Sequence, residues 1–178
     1  MGNEKAHDIS DQKLEELAQK IYSLKPQVKT ILSNMADVNS ALAKEDVWII
    51  PGLGESNAAL LQEEGHPISW TIPKEGGLMW LDAVAMLNSS KNPELAKQFI
   101  QYAASPKGQA LASWREAFIG IPVNKHAFEF LTEEQRKLLQ AENYQDAQKM
   151  ASRLAIRTLP VQQTEQQWID IWQKFKAN

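Results

Sequence analysis

Pro73-Lys74-Glu75-Gly76-Gly77-Leu78-Met79-Trp80-Leu81-Asp82-Ala83-Val84-Ala85-Met86 is the stretch on which the reading of this chain turns. The paired glycines Gly76 and Gly77 mark a turn, and the apolar run behind them predicts a strand. Side chains alternate faces along a strand, so Trp80 and Asp82 are expected on the same side. An indole beside an ionised carboxylate suits an ammonium group, because the ring offers a negative π-face and Asp82 a counter-charge and hydrogen-bond acceptor. The spacing points to recognition of a small cation. The plainer alternative is a core indole next to an edge carboxylate, with an ordinary turn at Gly76-Gly77.

Upstream, residues 1–7 are polar and unpatterned and read as a disordered lead-in. Ser10 can cap a helix whose Leu14, Leu17, Ala18, Ile21 and Leu24 share one face, ending before Pro26. Residues 28–32 predict a short strand and residues 37–44 a helical turn. Val47-Trp48-Ile49-Ile50 predicts a strand closed by Pro51-Gly52, residues 55–64 a helix stopped by Gly65, and residues 68–72 another strand. Strand, helix, strand in succession argues for α/β architecture with some parallel pairing.

Downstream the chain turns helical. Asn92 is expected to cap, and Pro93 to occupy the first turn of, a helix with an apolar stripe of Leu95, Ala96, Phe99, Ile100 and Ala103 expected in the core. A second helix begins at Pro106 and is expected to bury Ala110, Leu111, Trp114 and Phe118. Thr132 with Gln135, and Thr164 with Gln167, have the spacing of capping boxes; the latter opens a last helix presenting Trp168, Trp172 and Phe175.

At 178 residues, 43% apolar and 23% charged, the chain can bury a real core, as one domain or two smaller lobes. Nineteen basic against 22 acidic side chains leave a formal charge of −3, which offers no basic field for nucleic acid. The chain has no cysteine, which excludes disulfides, thiolate catalysis and cysteine zinc sites. His7, His66 and His126 are far apart in sequence and match no metal-ligand spacing. No apolar run approaches the roughly 20 residues that span a bilayer, and residues 1–7 contain no apolar signal core.

Gly52-Leu53-Gly54-Glu55-Ser56-Asn57 has the setting of a dinucleotide loop, but Asn57 stands where glycine or alanine is required and Glu55 repels phosphate. A helix amino-terminus there keeps a small anion possible. Ser56 lacks a nucleophile elbow and a recognisable base. Glu133-Glu134, Asp146 and Asp170 read as solvated helix faces. Arg153 and Arg157, one turn apart if helix continues there, could clamp a carboxylate or form surface ion pairs. No catalytic residue, metal site or cofactor is expected.

Asp8-Ile9-Ser10-Asp11-Gln12-Lys13-Leu14, Glu64-Gly65-His66-Pro67-Ile68, the 73–86 stretch and Gly120-Ile121-Pro122-Val123-Asn124 resemble, in order and spacing, the carboxy-terminal half of extracytoplasmic solute-binding proteins of the spermidine/putrescine type. The resemblance implies an α/β, type II periplasmic-binding-protein-like fold, represented by its carboxy-terminal half with a helix-rich end. In this reading residues 8–72 belong to the second lobe, 73–87 form a hinge and ligand strand, and 88–178 return to the first lobe. It implies an extracytoplasmic, non-enzymatic component of an ABC importer, with a permease as partner and a signal peptide outside this chain. The ligand is expected to be a small amine-bearing solute such as a polyamine, with Trp80 packing on it, Asp82 pairing with an amine and Gly76 and Gly77 as the possible hinge. The alternatives are an anionic or zwitterionic solute on the same fold, or a sensory or interaction domain. Two family aromatics are replaced, by Leu53 with Gly54 and by Ile121. The family's amino-terminal half is absent here, so that half or a second copy is expected to be needed.

Overall fold

The structure is a computed structural model that describes residues 6–115 and 118–177. The chain divides into two compact units, each built from separated segments. The first comprises Met1–Ile49, Pro73–Trp80 and Leu154–Asn178; the second comprises Ile50–Ile72 and Leu81–Arg153.

In the first unit, helix α1 (Asp11–Ser23) starts as its sequence dictates, with the Ser10 hydroxyl accepting from the Lys13 N–H. Leu14 and Ala18 are its buried positions. A 3₁₀ turn follows over Lys25–Gln27, then α2 (Met35–Ala43), capped by Asn34 through the Asp37 N–H. The last helix, α8 (Glu165–Ala177), packs on α1 and buries Phe175. Lys25 ties the two ends together, its ammonium donating to the Phe175 carbonyl at 2.8 Å while lying 5.0 Å from the centre of that residue's ring. The Thr164–Gln167 box forms, Gln167 accepting from the Thr164 N–H at 2.9 Å.

Of the expected lead-in, residues 1–5 lie outside the described residues. His7 is held in place: its carbonyl accepts from the Val161 N–H at 2.9 Å and its ring stacks 6.0 Å from Trp168. Gln163 fastens the next turn by donating to the Ile9 carbonyl and the Asp11 carboxylate.

The second unit has the better core. Around α3 (Glu55–Glu63), α5 (Pro106–Ser113), α6 (Glu133–Leu138) and α7 (Tyr144–Ala151) lies a buried cluster of Ala59, Ala110, Ile119, Phe128, Leu131, Leu139 and Ala147. Small residues let the short helices approach closely, and Leu139 and Ile119 fill the centre. Both hydrogen bonds of the Thr132–Gln135 capping box are present at the start of α6. The Gly120-to-Asn124 segment is anchored to α5, the Gln109 side chain accepting from the N–H groups of Val123 and Asn124.

The sheet content is smaller than the sequence predicts. Strand β1 (Gly77–Met79) pairs in parallel with β4 (Leu154–Ile156), and β2 (Trp114–Arg115) pairs antiparallel with β3 (Phe118–Ile119). Residues 28–32, 47–50 and 68–72 form no strand. Their apolar pattern marks surface that wants covering, but a strand also needs a neighbouring strand to receive its backbone groups. Trp48 and Ile49 are accordingly 91% and 82% exposed.

Two helical expectations are also corrected. The second downstream helix ends at Ser113, so Trp114 and Phe118 belong to the β2–β3 ribbon and not to a helix. Helix α4 (Pro93–Ala104) forms, yet the Asn92 side chain makes no capping hydrogen bond and the stripe is not core, with Leu95 65% and Phe99 60% exposed. Amphipathic spacing sets the face that seeks cover without supplying the covering element. The α4–α5 corner leaves no room at Gly108, where an added Cβ would overlap the Tyr102 carbonyl. Gly108→Ala is therefore expected to lower stability in urea unfolding, by more than the ~1 kcal/mol that alanine gains in helix propensity.

Candidate functional site

The segment carrying Trp80 is shaped from Pro73 onward. The Gly76 N–H donates to the Pro73 carbonyl at 2.9 Å, closing a turn, and Gly76 has φ +91°, a conformation that glycine adopts without a Cβ clash. Gly77 then begins β1. Its register with β4 is Gly77↔Leu154, Leu78↔Ala155 and Met79↔Ile156. The Arg157 N–H donates to the Met79 carbonyl at 2.8 Å and closes the ladder at its carboxyl end.

The expected strand through Asp82 is thus shortened: β1 stops at Met79, and residues 80–87 have no regular structure. Trp80 follows the strand directly and is 53% exposed, so its ring is open to solvent. Asp82 is also exposed. Trp80 is the last residue of its segment in the first unit, and Asp82 belongs to the second. Gly76 and Gly77 lie inside the short segment bounded by the changes of unit at Ile72/Pro73 and Trp80/Leu81.

Other candidates have structural duties. Ser56 accepts from the buried Ile119 N–H at 3.0 Å, which binds α3 to β3. Gly54 precedes α3 without a side-chain cap, Glu55 occupies the first turn, and Asn57 is buried. Residues 47–50 form no strand, so the strand–loop–helix setting of a dinucleotide loop is missing. Leu53 and Ile121 are half-buried, and Ile121 packs against the core of the second unit.

Arg153 and Arg157 do not share a helix, because α7 ends at Ala151 and Arg157 follows β4. The Arg153 guanidinium donates to the Ile72 carbonyl at 2.8 Å. His126 pairs with Glu129 at 2.9 Å, and His66 lies 3.9 Å from Glu64. Among the described residues no three histidine or acidic side chains are grouped to hold a metal.

Two surface cavities lie in the second unit. One, of about 650 Å³, is lined by residues including Gln62, His66, Ile68, Glu133 and Lys137; the other, of about 390 Å³, includes His126, Phe128 and Tyr144. Neither is lined by Asp82. Arg157, which the sequence reading set one helical turn from Arg153, instead follows β4 and donates its N–H to the Met79 carbonyl, a placement that depends on a strand pairing between segments more than 70 residues apart. A Leu-Ala-Ile-Arg run is too short to announce that pairing.

Comparison with known proteins completes these observations. A family model described as bacterial extracellular solute-binding protein matches residues 2–152. The chain is 28% identical over 174 residues to a putrescine/agmatine-binding protein of Pseudomonas aeruginosa, a match covering 93% of this chain and 44% of that protein. The chain therefore spans less than half the length of this curated relative. No solved structure matches it significantly.

Ser56→Ala tests the structural reading of that hydroxyl. The loss should cost roughly 1–3 kcal/mol in denaturant unfolding, since it orphans a buried N–H. Any solute binding should survive in the folded fraction.

Proposed function

The chain belongs to the bacterial extracellular solute-binding protein family, and on that premise we propose that it contributes to reversible capture of a small amine-bearing solute, such as a polyamine, for an ABC importer. The observation that carries the reading is the exposed indole of Trp80, followed two residues later by the exposed carboxylate of Asp82. An uncovered tryptophan loses the hydrophobic stabilisation that normally holds it inside, and stacking on a ligand's alkyl chain restores it. Asp82 supplies the charge for an ammonium group, and the Gly76-Gly77 turn supplies the hinge.

The family works outside the cytoplasm and binds rather than transforms its ligands, so the partner in this reading is a permease that receives the solute. Among the described residues no helix is long and apolar enough to cross a membrane. The arrangement proposed is the carboxy-terminal half of a type II binding-protein fold. Unpaired apolar segments such as Trp48-Ile49, and the open stripe of α4, support the need for a covering polypeptide, either an amino-terminal half or a second copy. Leu53 and Ile121, in place of two family aromatics, favour a second reading in which the fold serves as a sensory or interaction domain, and the amino-terminus of α3 keeps an anionic or zwitterionic solute open.

Tryptophan-fluorescence titration of the intact protein with putrescine and spermidine tests this. Saturable quenching is expected, with Asp82→Asn weakening it at least about tenfold through loss of a charge-assisted hydrogen bond of roughly 1.5–3 kcal/mol. Unchanged affinity in Asp82→Asn would refute the role given to that carboxylate, and silence with every amine would favour the sensory reading.

A further inference from the structure

We infer that the larger cavity of the second unit is a binding site for a small primary amine, separate from Trp80 and Asp82. The inference does not rest on the function proposed for those two residues. The cavity is bounded by the last turn of α3 at Gln62, the loop from Gly65 to Ile68, and α6 at Glu133, Glu134, Lys137 and Leu138, all within one unit. Trp70, two residues beyond the loop, fastens it to the carboxyl end of α6. Its indole N–H donates to the Leu138 carbonyl at 3.1 Å, and its own carbonyl accepts from the Gln140 side chain at 2.7 Å. Arg136 holds the same helix by donating to the carbonyls of Phe128 and Leu131. The walls are thus tied together without a ligand, and a volume of about 650 Å³ is in the range of small-molecule sites.

The polar groups on this lining differ from their neighbours in having no structural duty. Gln135 completes the capping box of α6, Gln140 holds Trp70, and Arg136 holds two carbonyls. Among the described residues Glu133, Glu134 and Lys137 make no side-chain hydrogen bond or ion pair, and the Gln62 carboxamide oxygen is buried and accepts from nothing. A buried acceptor without a donor is costly, and a carboxamide that bonds to nothing can turn its oxygen toward an arriving N–H. Two carboxylates against one lysine leave the lining net negative, and the last turn of α3 adds the negative end of its dipole. That field selects a cation over an anion. Ile68 and Leu138, partly buried on the same lining, suit an alkyl stem. Carboxylates for a charged N–H donor, a carboxamide in need of a donor and apolar cover together define a primary ammonium on a short alkyl chain.

The test is an N–H correlation NMR titration of the intact protein with n-butylamine, and with butyrate as an anion of the same chain length. The reporters are the Gln62 side-chain amide and the Trp70 indole N–H, assigned through Gln62→Leu and Trp70→Phe. Saturable shifts are expected with butylamine and none with butyrate. Joint substitution Glu133→Gln and Glu134→Gln should weaken binding about tenfold through loss of the charge-assisted bond. Gln62→Leu, read at the Trp70 indole, should also weaken it without lowering thermal stability, because an apolar side chain replaces a buried, unpaired acceptor. Asp82→Asn should leave it unchanged. Absence of saturable shifts, equal shifts with butyrate, or an affinity that neither substitution moves overturns the inference. Loss of the shifts in Asp82→Asn also overturns it, since the amine then sits at the other site. Shifts that persist while Trp80 gives no response to polyamines leave this site standing and remove only the function proposed above.

Discussion

The parallel pairing of Gly77–Met79 with Leu154–Ile156 is the constraint on which the first unit depends. Three residues on each side are a small ladder, and two strands alone are marginal in water. The pair persists because the chain around it is fastened elsewhere: α1 packs on α8, Lys25 holds the Phe175 carbonyl, and Gln163 grips Ile9 and Asp11. These contacts bring the first and last parts of the chain together. The β1 segment can then meet its partner across the sequence, and the ladder fixes what leaves its carboxyl end.

The second unit is stabilised differently. It has a close-packed cluster of small and branched apolar residues, and side-chain hydrogen bonds satisfy the turns that would otherwise strand buried backbone groups. Ser56 serves Ile119, Gln109 serves Val123 and Asn124, and Arg136 serves the carbonyls of Phe128 and Leu131. Several polar residues that a motif search could mistake for chemistry are committed to this task.

The helix starts were legible because their signals are local. Ser10, Thr132 and Thr164 each act within three residues along the chain, so sequence alone specifies the hydrogen bonds they make. The strands were poorly legible for the converse reason. Residues 28–32, 47–50 and 68–72 have strand-like patterns and no ladder, whereas Leu154–Ile156 has a weak pattern and a partner. Pairing is a relation between distant segments, and neither segment encodes it separately. The stripe of α4 shows the same division, its periodicity being correct and its burial absent.

The sequence by itself determined the helix starts at Ser10, Thr132 and Thr164, the Gly76 turn, the resemblance to solute-binding proteins and the candidacy of Trp80 and Asp82, because each rests on residues close together in the chain or on the order of short motifs. Only the tertiary structure decided that β1 ends before Trp80, that Ser56 is a structural acceptor, and that Arg157 follows β4 with its N–H on the Met79 carbonyl. Those facts depend on which remote backbone groups meet, and that is settled by the packing of the whole unit, not by any one stretch of sequence.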